Sequence, residues 1–249
     1  MNIKDRVALI TGSGSGIGQA IAIKLSELGA IVIVNDLNEI NINATMDQIK
    51  SHNGESFGYK ADVTQENEVI SMFNKIDEVY GRIDIVVNNV GISKDALIHK
   101  MNEEVWDDVL NVNLKSYFLV TKEATKRFIE QKYGRIINIS SRAWLGGFGQ
   151  ANYSAAKGGI ISLTRTSAIE LSKHNVTANA IAPGLIDTPL VRSLRKDAQE
   201  RLIKIQPINR IGRPDEVANA VAFFASDNSG YITGQTLHVC GGKSLGARW

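Results

Sequence analysis

The sequence predicts an α/β fold, with a single doubly wound domain built on a seven-stranded parallel sheet. Short apolar, β-branched runs alternate with longer amphipathic segments along the chain, an order that indicates βαβ units with right-handed crossovers. The runs at residues 31–34 and 85–87 are apolar throughout and do not alternate with polar residues. This pattern is typical of strands that helices cover on both faces, as in a parallel sheet.

The predicted elements follow one another without a linker, low-complexity tract or internal repeat, so one domain over residues 1–249 is the simplest organisation. The predicted strands span residues 7–10, 31–35, 56–60, 83–88, 134–140, 177–181 and 236–239. The predicted helices span residues 16–28, 39–52, 66–80, 103–130, 153–173 and 214–225. The segment 103–130 is long, and we expect it to contain a break or two helices.

The composition is that of an ordinary globular protein. Of 249 residues, 43% are hydrophobic and 22% are charged, and the net charge of +2 predicts neither nucleic acid nor a membrane surface as a partner. No apolar stretch is long enough for a signal peptide or a membrane span. The single cysteine, Cys240, excludes an internal disulfide, and a cytoplasmic location is the default expectation. No metal site is predicted, because the histidines are scattered, at His52, His99, His174 and His238.

A glycine-rich turn follows the first predicted strand and opens the first predicted helix. Its sequence is Thr11-Gly-Ser-Gly-Ser-Gly-Ile-Gly18. Glycines let such a backbone turn tightly and approach a pyrophosphate, which the helix N-terminus attracts. The position between strand and helix predicts a dinucleotide-binding loop of the Rossmann type, and a flexible loop without a ligand is the alternative.

Asp36 ends the second predicted strand, about 20 residues beyond the glycine loop. An acidic side chain at that position accepts hydrogen bonds from an adenosine ribose and repels a 2′-phosphate. Ser15 leaves the glycine loop without a basic residue, and none follows Asp36 directly. These observations favour NAD over NADP. The alternative is that Asp36 only caps the turn into the next helix.

Tyr153 and Lys157 stand four residues apart at the start of a predicted helix, so their side chains share one face. A phenol has a pKa near ~10, but a cation held nearby favours the phenolate and lowers that pKa. The pair is therefore a candidate acid/base device. An ordinary amphipathic helix face is the alternative interpretation.

Seven short motifs occur in the order, and at close to the spacings, of a known family. They are Thr11-Gly-x-x-x-Gly-x-Gly18, Ala61-Asp-Val63, Asn88-Asn-Val-Gly91, Asn111-Val-Asn-Leu114, Asn138-Ile-Ser-Ser141, Tyr153-x-x-x-Lys157 and Ala182-Pro-Gly184. On these motifs the sequence resembles the short-chain dehydrogenase/reductase family over essentially its whole length. The segments 149–153 and 232–242 are typical of the branch that includes 3-oxoacyl-carrier-protein reductases. Two residues depart from the family pattern, Val90 in place of alanine and Cys240 in place of aspartate.

The resemblance implies the residues that hold the cofactor, NAD(H). The glycine loop would face the pyrophosphate, the residues at 36–37 the ribose, those at 62–63 the adenine, and those at 183–188 the nicotinamide carboxamide. Asn88 would lie beside the adenosine half, and Val112 near the nicotinamide side. The cofactor-binding set is Gly12, Ser15, Gly16, Ile17, Gly18, Asp36, Leu37, Asp62, Val63, Asn89, Val90, Gly91, Tyr153, Lys157, Pro183, Gly184, Ile186 and Thr188.

The resemblance also implies a catalytic set of Asn113, Ser141, Tyr153 and Lys157. Tyr153 would give and take the proton, Lys157 would lower its pKa and bind the nicotinamide ribose, and Ser141 would hold the substrate oxygen. Asn113 would anchor a water that links Lys157 to solvent; alone, it is equally a polar residue that interrupts a helix. Ser140 competes with Ser141, because the segment before Tyr153 is one residue shorter than in close relatives. We prefer Ser141, because the strand fixes its position and a loop absorbs a deletion.

Substrate specificity is expected to depend on three loops at the carboxyl edge of the sheet, residues 92–99, 142–150 and 185–208. Trp144 and Phe148 are predicted to line a hydrophobic pocket with Ser141 and Tyr153, for a cyclic, aromatic or acyl substrate. Packing of Trp144 or Phe148 in a subunit interface is the alternative.

The last of these loops is expected to include a mobile helical lid. The apolar residues of that lid are Leu190, Val191, Leu194 and Leu202. Arg192 and Arg195 of this lid would either meet an anionic group or be solvated. The resemblance further implies a homotetramer, in which Trp249 would lie near a neighbour's active site; a frayed tail is the alternative for Trp249.

These features predict an NAD-dependent oxidoreductase that interconverts a secondary alcohol and a ketone by hydride transfer, with Tyr153 as acid/base. A small cyclic, aromatic or hydroxyacyl substrate is expected first. The alternative is a 3-oxoacyl-carrier-protein reductase of fatty acid synthesis, with a basic docking patch at Lys132, Lys173 and His174. Such enzymes generally use NADPH, which Asp36 disfavours. A dinucleotide-binding sensor without catalysis is the other class considered.

Overall fold

One seven-stranded sheet forms the centre of the protein. The computed structural model describes residues 2–192 and 195–246. The strands are β1 (Val7–Thr11), β2 (Ile31–Asp36), β3 (Ser56–Lys60), β4 (Ile85–Asn88), β5 (Gly134–Ile139), β6 (Val176–Pro183) and β7 (Thr236–Val239). They pair in the order β3-β2-β1-β4-β5-β6-β7, and every pairing is parallel. The predicted doubly wound parallel sheet is confirmed.

The helices lie close to their predicted positions, with ends that differ by at most two residues. They are α1 (Gly16–Glu27), α2 (Glu39–Ser51), α3 (Glu66–Tyr80), α4 (Glu103–Leu110), α5 (Ser116–Gln131), α6 (Ala151–Leu171), α7 (Pro189–Arg192), α8 (Lys196–Lys204) and α9 (Pro214–Ala225). None of these described helices combines the length and the apolar character that crossing a bilayer requires.

Local sequence signals explain several of the helix ends. Asn38 and Asn102 precede α2 and α4, and each side chain accepts hydrogen bonds from backbone N–H groups of the first turn. Pro214 begins α9, where its missing N–H has no helical partner to lose. Gly81 ends α3 with a φ of 66°, a conformation that favours glycine.

Both faces of the sheet are buried, as the apolar strands predicted. Ala8 and Ile10 of β1 pack with α1, α2 and α9 on one face. Val7 and Leu9 of the same strand pack with α3, α5 and α6 on the other. Because successive side chains of a strand point to opposite faces, a strand between two helical layers is mostly apolar on both sides.

The long predicted helix at 103–130 is two helices joined by a π-helical segment. Helix α4 ends at Leu110, the π segment spans Asn111–Lys115, and α5 follows at once. A π turn widens the helix by one residue and is frequent at functional sites. Asn113, a candidate catalytic residue, lies within this segment and is fully buried.

The carboxyl ends of the strands form the edge where a doubly wound fold binds ligands. The chain reverses direction across the sheet between β1 and β4, so a crevice opens beyond their ends. Strand β5 ends at Ile139, one residue before the predicted end, so Ser140 and Ser141 both lie beyond the strand. Strand β6 reaches Pro183, which brings the Pro183-Gly184 turn to the same edge.

Candidate active site

The glycine loop joins β1 to α1 in a shape that larger residues do not fit. Gly12 and Gly16 have φ values of 62° and 57°, in the left-handed region. A Cβ atom on Gly18 would lie 2.2 Å from the carbonyl oxygen of Gly12, so no side chain is possible there. The backbone of the loop therefore stays open towards the crevice, as a pyrophosphate requires.

Asn89 fixes the glycine loop from the end of β4. Its backbone N–H donates to Thr11 Oγ1 at 3.0 Å. Its side-chain Nδ2 donates to the carbonyl oxygens of Thr11 and Gly12, at 3.1 and 3.0 Å.

The expected position of Asn88 beside the adenosine half is wrong. Asn88 is 1% exposed and donates to Thr121 Oγ1 and Asn138 Oδ1 inside the protein.

Asp36 is held against the glycine loop by backbone amides. Its Oδ2 accepts a hydrogen bond from the Gly14 N–H, and its Oδ1 accepts one from the Asn38 N–H, both at 3.0 Å. A Cβ atom on Gly14 would lie 2.7 Å from that Oδ2, so the glycine makes room for the carboxylate. The bond to Asn38 is the turn cap considered as an alternative, and the same carboxylate also faces the crevice.

A cleft of about 550 Å³ opens at this end of the crevice. It is lined by most of the expected cofactor residues: Gly12, Ser15, Gly16, Ile17, Asp36, Leu37, Asp62, Val63, Asn89, Val90, Gly91, Val112 and Thr188. It continues into a second part of about 270 Å³, lined by Ser141, Tyr153, Lys157, Pro183, Gly184 and Ile186 among others. Gly18 is buried behind the loop rather than in the cleft wall.

Tyr153 lies in the first turn of α6 and faces the second part of the cleft. Burial raises the pKa of its phenol, a hydrogen bond with Ser141 lowers it in part, and the carboxylate of Asp95 raises it further. Burial is the largest effect and Lys157 is not among the causes, so the lowering of this pKa by Lys157 stays a prediction.

Lys157 is 3% exposed and lies one turn after Tyr153. Its Nζ donates to the carbonyl oxygen of Ile139 at 2.9 Å and to the hydroxyl of Tyr117 at 3.3 Å. Burial lowers the pKa of Lys157 to about 7. Tyr117 was not predicted from the sequence, although it stands four residues after Asn113, one helical turn further on.

The structure separates the two candidate serines. Ser140 is 3% exposed, and its hydroxyl donates to the backbone carbonyl of Lys157 at 2.8 Å. Ser141 lines the cleft, its Oγ accepts the Ala143 N–H at 3.1 Å, and it forms a hydrogen bond with Tyr153. The structure thus brings Ser141, and not the hydroxyl of Ser140, to the phenol.

The side chain of Asn113 is fully engaged with the loop at 92–99. Its Oδ1 accepts the Ile92 N–H and its Nδ2 donates to the Ile92 carbonyl, both at 2.8 Å. A Cβ atom on Gly91 would lie 3.4 Å from Lys157 Nζ and 3.5 Å from Asn113 Oδ1. A glycine at 91 therefore leaves room beside both groups, and Asn113 holds the start of a substrate loop in place.

Neither Trp144 nor Phe148 lines the cleft beside Tyr153 in this structure. The indole of Trp144 donates to Nε2 of His238 on β7 at 3.1 Å. Phe148 is 94% exposed. The expected hydrophobic pocket made by these two rings is therefore not formed in this arrangement, and their packing in a subunit interface stays open.

The lid region contains α7 and α8 and an ion pair at its start. Val191 lines the cleft, and Arg192 pairs with Asp187 at 2.7 Å. Arg195 pairs with Asp197 at 3.1 Å, so Arg192 and Arg195 already have carboxylate partners on the surface. Leu194, Trp249 and the side chain of Leu190 lie outside the described residues. Among the residues that are described, no group of three or more potential ligands comes together as a metal site.

Comparison with known proteins agrees with this geometry. A family model described as enoyl-(acyl carrier protein) reductase matches residues 12–244. The (2S)-[(R)-hydroxy(phenyl)methyl]succinyl-CoA dehydrogenase subunit BbsD of Thauera aromatica is 45% identical over 245 residues, which cover 98% of this chain and 99% of that protein. The chain belongs to the short-chain dehydrogenase/reductase family.

Other members of the family are also similar over nearly their whole length. The 3-oxoacyl-[acyl-carrier-protein] reductase FabG of Thermotoga maritima is 41% identical, with 97% of this chain and 99% of that protein covered. The crystal structure of levodione reductase has a TM-score of 0.95 at 34% identity, with 98% of this chain and 99% of that chain covered. This short-chain dehydrogenase/reductase is therefore an oxidoreductase for CH–OH groups that binds a nicotinamide dinucleotide.

The residues of the cleft fit such a cofactor. Gly18 packs against the backbone of Gly12 and leaves no space for a side chain. Gly12 and Gly16 border the cleft, so the loop presents bare backbone there. Asp36 lies at the same end, where its carboxylate could accept a hydrogen bond from a ribose hydroxyl. The two parts of the cleft would then take the two ends of a dinucleotide.

Proposed function

We propose that this short-chain dehydrogenase/reductase uses NAD(H) to interconvert a secondary alcohol and a ketone on a hydroxyacyl thioester. One observation carries the proposal: Ser141 and Tyr153 border the same continuous cleft as the glycine loop and Asp36. A group that exchanges protons and a carboxylate that suits an unphosphorylated ribose are thus joined in a single site.

The residues that would hold NAD are those already placed in the cleft wall. Asp36 would accept hydrogen bonds from the ribose and would repel the 2′-phosphate of NADP. Pro183, Gly184 and Thr188 lie at the Tyr153 end, where the nicotinamide would be held. A nicotinamide held there would supply the hydride chemistry that links the alcohol and the ketone.

The protein's own groups would handle the proton. In oxidation the alcohol O–H gives its proton to the phenolate of Tyr153, and in reduction the phenol returns it to the ketone oxygen. The hydroxyl of Ser141 donates a hydrogen bond to that oxygen and stabilises the negative charge that develops there. Charged Lys157 favours the phenolate, because its Nζ lies 5.6 Å from the centre of the Tyr153 ring.

The thioester substrate is supported by the similarity to BbsD. That relative is named as a dehydrogenase of a hydroxy(phenyl)methyl succinyl-CoA, a hydroxyacyl thioester with an aromatic ring. We therefore place an aryl- or ring-bearing hydroxyacyl thioester before a simple cyclic alcohol.

The second candidate is a 3-oxoacyl-carrier-protein reductase, which the 41% identity to FabG favours. The predicted docking patch does not support it. Lys132 precedes β5, and Lys173 and His174 precede β6, so all three lie at the amino edge of the sheet. The cleft lies at the carboxyl edge, so a carrier protein bound at that patch would not face Tyr153.

A substrate panel tests the proposal, with the absorbance of NADH or NADPH followed as it rises in oxidation or falls in reduction. The panel holds free cyclic and aromatic alcohols, hydroxyacyl-CoA thioesters, 3-oxoacyl-carrier proteins and enoyl thioesters, each with NAD(H) and NADP(H). We expect turnover of an aryl-bearing hydroxyacyl-CoA with NAD, and none with Tyr153→Phe, which still binds NADH. Preferred reduction of the carrier-protein substrate with NADPH would establish the second candidate instead.

We also propose that the protein is a homotetramer in the cytoplasm. A groove of about 660 Å³ on α4, α5 and the π segment between them is lined by Leu110, Leu114 and Phe118. Phe118 is 50% exposed, although large apolar side chains in such grooves usually pack against a partner. The family relationship makes a second copy of this chain the expected occupant, and the single free cysteine suits a reducing compartment.

A further inference from the structure

The ammonium group of Lys157 lies inside the protein without a carboxylate partner. Within residues 2–192 and 195–246, its acceptors are two neutral oxygens, the carbonyl of Ile139 and the hydroxyl of Tyr117, at 2.9 and 3.3 Å. Burial alone accounts for the lowered pKa of Lys157. Because a buried charge is costly unless hydrogen bonds compensate it, the charge on Lys157 depends on these two acceptors.

Tyr117 is arranged to act as such an acceptor. It lies in the first turn of α5 and is 1% exposed. Its hydroxyl donates to the same Ile139 carbonyl at 2.9 Å, so the phenol proton is already committed and the oxygen lone pairs remain for Lys157. The Nζ atom lies 5.1 Å from the centre of the Tyr117 ring and 5.6 Å from that of Tyr153, close to both phenols.

The two phenols near Lys157 differ in their surroundings. Burial raises the pKa of Tyr117 well above its usual value, so this phenol stays neutral, whereas Tyr153 lines the cleft. The remaining titratable group in the cluster is Asp95 in the loop at 92–99, which raises the pKa of Tyr153. Strand β5 contributes the neutral Ile139 carbonyl to the cluster. Tyr117 is therefore a permanent acceptor beside a group that titrates.

We propose that Tyr117 is a positioning residue whose hydroxyl holds the ammonium of Lys157 against Ile139 and stabilises its charged form. The consequence for turnover rests on the proposed function, in which charged Lys157 favours the Tyr153 phenolate and binds the dinucleotide. Removing the hydroxyl leaves the ammonium with one acceptor. The charged form is then less stable, so Lys157 loses its proton at a lower pH.

The test uses Tyr117→Phe in the full-length protein and two independent readouts. The first is a pH titration of the Lys157 side chain by NMR in the cofactor-free protein with 15N-labelled lysine, assigned with Lys157→Met. The second is the affinity for NADH, followed by fluorescence across pH without substrate. Tyr133→Phe is the matched control, because it removes a half-buried phenol hydroxyl that donates to Asp227 at the amino edge of the sheet.

We expect Tyr117→Phe to lower the pKa of Lys157 by about one pH unit. The alkaline loss of NADH affinity and of kcat/KM should move down in pH by the same amount, whereas Tyr133→Phe should leave both unchanged. Tyr117→Met also lacks the acceptor and should lower the pKa of Lys157 in the same way. It replaces Tyr117→Phe in the test if that variant folds poorly.

An unchanged Lys157 titration in a folded Tyr117 variant would overturn the proposal, even with a lowered melting temperature, because a purely structural phenol affects only stability. Failure of the proposed function has a different signature. In that case the Lys157 titration still shifts, but the wild-type protein neither prefers NADH nor oxidises any thioester in the panel.

Discussion

Trp144 donates a hydrogen bond from its indole Nε1 to Nε2 of His238, at 3.1 Å, and the two ring centres lie 6.0 Å apart. The bond links the loop after Ser141 to β7, at the far side of the sheet. Its acceptor nitrogen must be unprotonated, so the link exists only while His238 is neutral. Burial lowers the pKa of His238, which keeps the link intact at neutral pH.

We predict that this link breaks on acidification and raises KM for the substrate. The pKa of the folded His238 lies below its ordinary value of ~6.5, so the bond is present above that range and is lost as pH falls through the lowered pKa. Intrinsic fluorescence should change at this pH, and His238→Phe should abolish the change, whereas His52→Asn should retain it. A fluorescence change that persists in His238→Phe would contradict the assignment.

Replacement of the two serines should give opposite results. Ser141→Ala removes the hydroxyl near Tyr153 and should lower kcat by about 100-fold or more, with little change in melting temperature. Ser140→Ala removes a buried hydrogen bond to Lys157 and should cost about 1 kcal/mol of unfolding free energy while turnover persists. Measurement of kcat and thermal unfolding on both variants tests which serine is catalytic. A loss of turnover in Ser140→Ala alone would reverse the assignment.

Gly14 should control the preference for NAD through Asp36. A Cβ at this position would lie 2.7 Å from Asp36 Oδ2, so Gly14→Ala should displace the carboxylate. We expect a weaker NAD affinity and a preference for NAD over NADP that falls by about tenfold, as kcat/KM ratios will show. Gly158→Ala is the control, since a Cβ there meets no atom within 4 Å, and its cofactor preference should equal that of the wild type.

Removal of the Asp95 charge should make the oxidation more active at low pH. The carboxylate raises the pKa of Tyr153, so Asp95→Asn lowers that pKa and the phenolate forms at lower pH. The acid limb of kcat/KM should therefore move down by about half a pH unit, and less in high salt because Asp95 is exposed. Glu66→Gln, which removes an exposed charge paired with Lys122, should leave the profile unchanged. A shift in the opposite direction would exclude this role for Asp95.

A charge in the α4–α5 groove should disrupt the proposed tetramer. Phe118→Glu puts a carboxylate into an apolar surface and should give a smaller species in light scattering. Ile40→Glu, at a residue that is 78% exposed on α2, should keep the wild-type mass. An unchanged mass for Phe118→Glu would show that this groove is not an interface.

Much of the molecule follows from local patterns in the sequence. The strand β7 and the helices α3 and α9 have the predicted bounds, because apolar runs, caps and glycines act over a few residues. The glycine loop and the Tyr153–Lys157 pair are recognisable for the same reason, since their geometry depends on backbone shape and helical spacing.

The remaining features depend on contacts between segments distant in the chain, which only the tertiary structure determines. The choice between Ser140 and Ser141 depends on α6 packing beside the end of β5, and the hydrogen bond from Trp144 joins residues 94 positions apart. The contact of Tyr117 with Lys157 exists because α5 and α6 meet at the Ile139 carbonyl. The elements and the residue types of the site could be predicted, because these follow from local spacing and chemistry. Packing decided which side chain meets which, and the burial that sets the pKa values of Tyr153 and Lys157.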